Sequence, residues 1–243
     1  MVKHEIRGDW SQTVVCRLDA HQELFGELGR FLWKTPNIRI DVRPRSRWLQ
    51  DPSQGRGLLG RALSTAAGSG KRSGARASLP VQHFTAIHGI GLCAFTGIVP
   101  GEIRTIESDG TSEWTVRRGS LVAAEGTLRI AGLTAGLTAG LTGPATNGFD
   151  GELFTGSGTL FIGASGHFID LSPEHHGGVV HVDPGRVVAW DDQVSFSVES
   201  IAGAHGEHSR VAAITGDGKV ILQTGASVVG REPPGAPRAE MAT

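Results

Sequence analysis

A strand-turn-strand pattern occurs three times in this chain, and this repeat limits the possible folds more than any other feature. Superposing Gly29, Gly119 and Gly185 without gaps brings apolar residues into register. Five residues before each glycine stand Leu24, Trp114 and Val180; two after it, Phe31, Leu121 and Val187; nine after it, Ile38, Leu128 and Val194; eleven after it, Ile40, Ile130 and Phe196. A one-residue slip would turn every side chain to the other face, so the shared register predicts one inward face used three times.

A second block of strands follows each copy, around Thr85, Thr155 and Thr215. In the last two copies the pattern Thr-Gly-x-Gly predicts a hairpin turn, so that each repeat reads as a pair of β-meanders. The anchor glycines Gly29, Gly119 and Gly185 are expected at turns that need positive φ. With 36 Gly, 11 Pro and no Tyr, the composition also favours many short strands.

We therefore predict an all-β protein of three β-sandwich pseudo-repeats. Residues 1–230 are expected to form one domain, with repeats at about 1–100, 101–172 and 173–230. The tail 231–243 is rich in Pro and polar residues and is expected to be disordered.

Two of the copies carry insertions. In the second copy, residues 132–143 read GLTAGLTAGLTG, which is too rich in glycine for a stable helix. In the first copy, residues 43–76 contain eight basic residues and one acidic residue, Asp51. The basic residues are Arg43, Arg45, Arg47, Arg56, Arg61, Lys71, Arg72 and Arg76. Clustered guanidinium groups bind phosphate well, so this insertion is the candidate binding site for an anionic ligand, RNA or anionic lipid.

Charge and cysteine content narrow the class of protein. A formal net charge of -1 and a pI near 6.8 exclude a general attraction to nucleic acid or anionic membranes, so electrostatic binding needs a local patch. Cys16 and Cys93 lie in apolar strand-like runs, which indicates reduced core thiols rather than a disulfide framework. No run is long enough for a transmembrane segment, and no leader is recognisable, so we expect a cytoplasmic protein.

Several motifs resemble those of one family. They are the Gly-Leu-Leu-Gly insertion, the Gly-Leu-Thr-Ala-Gly-Leu loop before Leu-Phe-Thr-Gly-x-Gly, the block VDPGRVVAWDDQVSFSVES and the closing GDGKVILQT with Gln223 and Thr224. Together the chain resembles, over residues 3 to 229, the family of the mitochondrial biogenesis factor altered inheritance of mitochondria protein twenty-four. The arginine-rich insertion and the tripled GLTA depart from the family's usual pattern.

The resemblance implies a fold similar to that of the trp RNA-binding attenuation protein, with three β-sandwich units about a pseudo-threefold axis. It implies no established enzymatic activity. Bacterial members are of unknown function, and the fungal mitochondrial member is linked to inner-membrane organisation. No catalytic residue can be transferred to this chain.

Enzyme motifs are absent or distorted. Gly70-Lys71 is followed by Arg72, which breaks the P-loop pattern. His175, His176 and His181, and the pair His205 and His208, match no metal-ligand spacing, and a cupin-like metal enzyme is disfavoured because no His-x-His occurs. We interpret Asp191 and Asp192 as turn residues, and Trp33, Trp114 and Trp190 as core or inter-repeat packing.

The leading prediction is a non-catalytic scaffold or binding protein without a cofactor or metal. It is expected to have protein partners, which the sequence does not identify, and it could form a homo-oligomer through strand edges or repeat faces. The alternative is a binder of anionic ligand, RNA or anionic lipid through the basic insertion. The third reading, a cupin-like metal enzyme, ranks last.

Overall fold

Residues 1–44, 80–97, 100–133, 151–202 and 208–225 are described by the structure, a computed structural model. The described residues form nineteen β-strands and two short 3-10 segments, with no α-helix among them. None of their helices is long and apolar enough to cross a membrane. The all-β prediction is therefore confirmed. The limits of the predicted domain at residues 1–230 and the pseudo-threefold axis stay predictions, and the predicted tail lies outside the described residues.

After β1, the strands fall into three groups of six. The N-terminal strand is β1 (Lys3–Arg7). The first group is β2 (Thr13–Leu18), β3 (Glu23–Glu27), β4 (Phe31–Lys34), β5 (Ile38–Pro44), β6 (Pro80–Ala86) and β7 (Gly91–Thr96). The second group is β8 (Ile103–Asp109), β9 (Trp114–Arg117), β10 (Leu121–Glu125), β11 (Arg129–Leu133), β12 (Gly151–Thr155) and β13 (Ser157–Gly163). The third group is β14 (Phe168–Leu171), β15 (Val179–Val182), β16 (Val187–Asp191), β17 (Val194–Ala202), β18 (His208–Gly216) and β19 (Val220–Gln223).

The same pairing pattern occurs in each group. The first strand pairs with the sixth, the sixth with the third, the fourth with the fifth, and the fifth with the second, all antiparallel. The sheets have the orders β1-β2-β7-β4, β5-β6-β3-β10-β13-β8, β11-β12-β9-β16-β19-β14 and β15-β18-β17. Each six-stranded sheet therefore contains three strands from each of two consecutive groups.

This topology corrects the predicted meanders. Most consecutive strands lie in different sheets, and only the fourth and fifth strands of a group form a hairpin. The Thr-Gly-x-Gly segments after Thr155 and Thr215 do not join paired strands, because β12 and β13 belong to different sheets, as do β18 and β19. Gly156 and Gly216, with φ of 95° and 106°, redirect the chain from one sheet to the other. The local sequence predicts the turn, but it does not predict which strands pair on either side of it.

The twelve residues predicted to share the inward face all belong to, or pack against, one of three hydrophobic clusters. Cluster 1 lies in the first group and also takes Ile103, Val122, Ala123 and Phe161 from the second. Cluster 2 lies in the second group and also takes Phe25 from the first and Val188, Ala189 and Ile221 from the third. Cluster 3 consists of third-group residues alone. The predicted register is thus confirmed, and the first two cores are shared between neighbouring groups.

The anchor glycines are not equivalent in backbone conformation. Gly29 and Gly119 have φ of 87° and 83°, as predicted for their turns. Gly185 has no positive φ, so the prediction is wrong for this residue. It lies in the 3-10 segment Pro184–Arg186, where the Asp183 side chain accepts a hydrogen bond from its N–H group. The proline before Gly185 favours this conformation.

Cys16 and Cys93 lie directly opposite each other on β2 and β7, and both are free and buried. Burial raises the pKa of the Cys16 thiol, with a smaller contribution from Cys93, and raises the pKa of Cys93 to about 12. Both side chains are therefore neutral thiols in the core of cluster 1. Their burial confirms the prediction that both cysteines lie in the core.

Candidate functional site

Two strand pairs join the groups, and they share one register. At the first junction, β3 pairs with β10, with Gly26 opposite Ala123 and Leu24 opposite Glu125. At the second junction, β9 pairs with β16, with Val116 opposite Ala189 and Trp114 opposite Asp191. Counted from the anchor glycines, the residue three before one anchor faces the residue four after the next anchor at both junctions. The second strand of each group is thus complementary to the third strand of the following group.

The strands left over by this pattern are β4 and β15. β4 is the third strand of the first described group, and it is the outer strand of its sheet. β15 is the second strand of the third described group, and it is also an outer strand. Within the described part of the chain, no strand pairs with the outer side of either one. We call β4 and β15 the two free edges.

Large apolar side chains are exposed at the two free edges. Leu32 is 51% exposed, whereas its counterparts Val122 and Val188 are fully buried. Trp33 is 40% exposed, although the residues at its position in the other groups, Ala123 and Ala189, are also fully buried. On β15, Val179 is 48% exposed. Burial at these positions therefore depends on a neighbouring group rather than on the local sequence.

Polar side chains reinforce each junction in the same way. The Gln12 Oε1 atom accepts a hydrogen bond from the Ile103 N–H group at 2.7 Å, at the start of β8. At the next junction, the Glu102 Oε2 atom accepts one from the Phe168 N–H group at 3.1 Å, at the start of β14. Gln12 and Glu102 both immediately precede the first strand of their group. A side chain thus caps the first strand of the following group at both junctions.

Two buried arginines bind the anchor glycines of the following group. The Arg30 guanidinium donates to the Gly119 carbonyl oxygen at 2.6 Å, and Arg117 donates to the Gly185 carbonyl oxygen at 2.6 Å. Burial lowers the pKa of both guanidinium groups, and the ion pair with Glu27 opposes that shift for Arg30. These side chains hold the groups together. Sequence reasoning missed them because they occupy different positions relative to their own anchors.

A third set of polar contacts lies six residues after each anchor, at Thr35, Glu125 and Asp191. Each side chain accepts a hydrogen bond from a backbone N–H group at the start of the sixth strand. The donors are Leu92 at 3.0 Å, Thr159 at 3.2 Å and Lys219 at 2.9 Å, respectively. The three residues differ in type but all carry a side-chain oxygen, which is the signal that could have shown this position.

The acidic pair Asp191 and Asp192 has the predicted turn role. Asp191 also accepts a hydrogen bond from the Gln193 N–H group, and Asp192 accepts one from the Glu113 N–H group across the junction. Burial raises the pKa of Asp191, against the hydrogen bonds from Lys219 and Gln193. Both carboxylates are therefore used to fix backbone groups.

The predicted basic site is described at one residue. Arg43, at the end of β5, lies 3.2 Å from Asp41 and 3.6 Å from Glu23 through its guanidinium nitrogens. Glu23 also contacts His83 at 2.7 Å and Thr85 at 3.2 Å, and the hydrogen bond with His83 is the main cause of its lowered pKa. Arg43 is thus engaged by acidic groups of its own sheet, Asp41 on β5 and Glu23 on β3. The other predicted basic residues, Arg45, Arg47, Arg56, Arg61, Lys71, Arg72 and Arg76, lie outside the described residues, as does most of the GLTA run.

Of the metal-ligand candidates named from the sequence, His205 lies outside the described residues. Among the described residues, no three potential metal ligands lie together, and the His176 ring contacts the Ser172 carbonyl oxygen. Trp190 is 2% exposed in cluster 3, and Trp114 packs against cluster 2, as predicted. The prediction of core or inter-repeat packing is wrong for Trp33 in the single chain, because its edge has no neighbouring group.

The fold and its junctions define a class of protein: an all-β chain in which sheets are shared between consecutive strand groups. The family model described as Mitochondrial biogenesis AIM24 matches residues 4–225, and the chain belongs to this family. The crystal structure of protein SPYM3_0169 from Streptococcus pyogenes has a similar fold, with a TM-score of 0.64 at 18% sequence identity, over 93% of this chain and 94% of that one. No curated protein matches the chain significantly.

Proposed function

We propose that this protein is a non-catalytic binding or scaffold protein that joins protein partners through its two free edges. The observation that carries the proposal is the contrast at equivalent positions. Leu32 and Trp33 are half exposed on β4, whereas their counterparts at both internal junctions are fully buried. An outer strand that exposes large apolar side chains is a template for strand addition.

The internal contacts of four charged side chains support a scaffold role. Arg30, Arg117, Glu125 and Asp191 bind backbone groups within or between the strand groups. Their charges stabilise the assembled sheets. The family description, mitochondrial biogenesis, names a process rather than a reaction, which agrees with a role in assembly.

Affinity capture from the native cell tests this function. Tagged wild-type protein is compared with Leu32→Glu, which places a charge on the free edge of β4, and with Val42→Glu as the matched control. Val42 is 59% exposed on β5, which is an outer strand of its sheet. We expect specific partners to be recovered with wild type and Val42→Glu and lost with Leu32→Glu. Identical recovery with all three proteins would contradict a function based on the free edges.

Binding of RNA or anionic lipid through residues 43–76 is the second candidate function, and the excess of eight basic residues over one acidic residue favours it. The test is filter binding to RNA and flotation with anionic vesicles across a salt series. Binding should weaken as salt rises and be lost in a protein combining Arg45→Ala, Arg47→Ala and Arg56→Ala. The control is Arg39→Ala, since Arg39 lies on the described part of β5 and pairs with Asp41. Failure to bind either probe at low salt would exclude this function.

A further inference from the structure

The two free edges differ from every other outer strand of the described sheets. The fourth strands, β5, β11 and β17, are outer strands in all three groups. The first strands β8 and β14 are outer strands too, and β2 is covered by β1. The second and third strands of a group pair on both sides at the junctions between groups, whereas β4 and β15 pair on one side among the described strands. Their status depends on whether a neighbouring group is present.

We infer that β15 of one copy of this chain pairs antiparallel with β4 of a second copy. This inference rests on the proposed function and names its partner. The strand order across the new contact would be β17-β18-β15-β4-β7-β2, which reproduces the order β5-β6-β3-β10-β13-β8 of an existing six-stranded sheet. The contact thus repeats a junction that the chain already makes twice.

The two internal junctions also specify the register. In both, the residues three, four and five before one anchor face those four, five and six after the next anchor. Applied to Gly185 and Gly29, this rule places Val182 opposite Trp33, His181 opposite Lys34, and Val180 opposite Thr35. Register in a sheet is set by which side chains must face the core, and the inward face is the same in all three groups.

Both sides of the new contact have apolar groups that the contact would bury. Cluster 1 takes Val122 and Ala123 from the following group, and cluster 2 takes Val188 and Ala189. Cluster 3 takes nothing from another group in the single chain. The residues that would occupy the equivalent place, Leu32 and Trp33, are exposed on the other free edge. A second copy supplies them to cluster 3, and buried tryptophans contribute strongly to interfaces.

The contact is heterologous, because each copy offers one β4 and one β15. Heterologous contacts generate rings when the rotation closes and filaments when it does not. In the single chain, Leu32 and Val179 are exposed at the same time. The two free edges therefore do not cover each other within one copy, and a second copy is the partner with the matching register.

Sedimentation velocity over a concentration series tests self-association. Wild type and the control Val42→Glu should form species heavier than one chain. Leu32→Glu, which adds a carboxylate beside Asp183 in the inferred register, should weaken association by at least about 10-fold, or 1.4 kcal/mol. Circular dichroism checks that the variants stay folded. A wild-type protein that sediments as a single chain at every concentration would overturn the inference.

Engineered cysteines test the register and the identity of the partner. A mixture of Lys34→Cys and His181→Cys proteins should give a disulfide-linked dimer on a non-reducing gel, because opposed cross-strand residues are within disulfide distance. A mixture of Ile169→Cys and His181→Cys is the control and should not, since Ile169 is exposed on β14. Native Cys16 and Cys93 are buried and do not compete. A chain with both Lys34→Cys and His181→Cys should give a ladder of linked copies.

Two outcomes would contradict the inference. An internal disulfide in a single double-cysteine chain would show that the free edges close on each other, and no disulfide would show that they do not meet. These results are distinguishable from failure of the proposed function. A protein that stays monomeric but loses other partners with Leu32→Glu retains the proposed function and loses only the second copy as its partner.

Discussion

The internal junctions and the free edges use equivalent strands and differ in one respect, the presence of a neighbouring group. At the β3–β10 junction, Val122 and Ala123 are fully buried between two groups. On β4, Leu32 and Trp33 hold the same positions and are half exposed. The residues at the free edge are larger and no less apolar than their buried counterparts. Their exposure is therefore a property of the assembly, and the edge retains the chemistry of an interface.

The largest effect is expected from Gly101→Ala, at a point where neighbouring groups meet. Gly101 forms a bridge to Ser11 and another to Gly166, and a methyl group on it would overlap the carbonyl oxygen of Ala164. Because backbone atoms cannot move aside cheaply, we expect the free energy of unfolding to fall by about 3 kcal/mol.

The control for Gly101→Ala is Ser11→Ala, since Ser11 is exposed and already carries a β-carbon at the equivalent position of the first group. It should change stability by less than about 0.5 kcal/mol. Urea unfolding of both variants measures the comparison. Equal stability of the two would show that the close approach of the groups at Gly101 is not essential.

The next largest effect is expected at the position six residues after each anchor. Glu125→Ala removes the acceptor of the Thr159 N–H group and the contact with Gln22 across the first junction. Thr159 is fully buried, so the unpaired group should cost about 2 to 3 kcal/mol of unfolding free energy. Thr35→Ala removes the acceptor of the Leu92 N–H group in the first strand group, which carries the free edge β4. This change should lower the free energy of unfolding by about 1 kcal/mol. Thermal or urea unfolding would contradict this order if Thr35→Ala were the more damaging change.

A smaller difference is expected between Val122→Ala and Leu32→Ala. Truncating the buried Val122 leaves a cavity in cluster 1 and should destabilise the chain by about 2 kcal/mol. Leu32→Ala removes more atoms but from an exposed edge, so it should cost less than about 0.5 kcal/mol in dilute solution. A concentration-dependent loss of stability in Leu32→Ala would sharpen the comparison, because it would report burial of Leu32 by a second copy.

The smallest effect is expected from Glu102→Gln at the second junction. The hydrogen bond with His167 is the main cause of the lowered pKa of Glu102, followed by the bond from the Phe168 N–H group. Because the pKa of Glu102 is lower in the folded than in the unfolded chain, its carboxylate stabilises the fold at pH values above about 4.3, the pKa of an unfolded Glu. This stability is lost as the pH falls through the pKa of the folded state.

The Glu102→Gln protein should keep the bond to Phe168, as Gln12 does with Ile103 at the first junction. Stability at pH 7 should change by less than about 1 kcal/mol, because the contact with His167 is exposed. Wild type should lose stability relative to the variant below about pH 5. Parallel pH profiles in a stability titration would contradict a role for this carboxylate.

Much of the fold was predictable because the strands and their inward faces follow from the local periodicity of apolar residues. The gapless alignment on Gly29, Gly119 and Gly185 located the strands and the inward face, since the period of two and its register are properties of short segments. The meanders were predicted wrongly at β12 and β13, which are consecutive but lie in different sheets. A turn such as Thr155-Gly156 shows where the chain changes direction, not which strand it meets afterwards.

The candidate site was less predictable. The sequence draws attention to the insertion at residues 43–76, yet Arg43, its described member, pairs with Asp41 and Glu23. Trp33 was expected to be packed because it falls at a strand position within the first repeat. Nothing in the local sequence distinguishes a strand that has a neighbour from one that does not. The free edges become visible only when the pairings are counted around the molecule.

The amino-acid sequence by itself determined that the chain is all-β, that its pattern is used three times and which side chains face inward. The tertiary structure decided which strands pair, and therefore that β4 and β15 are outer strands of the described sheets whereas their equivalents are inner strands. The physical reason is that strand alternation depends on neighbours along the chain, whereas sheet order depends on contacts between residues distant in sequence. Among the described residues, three consecutive groups make two junctions, so that one third strand, β4, and one second strand, β15, remain at sheet edges.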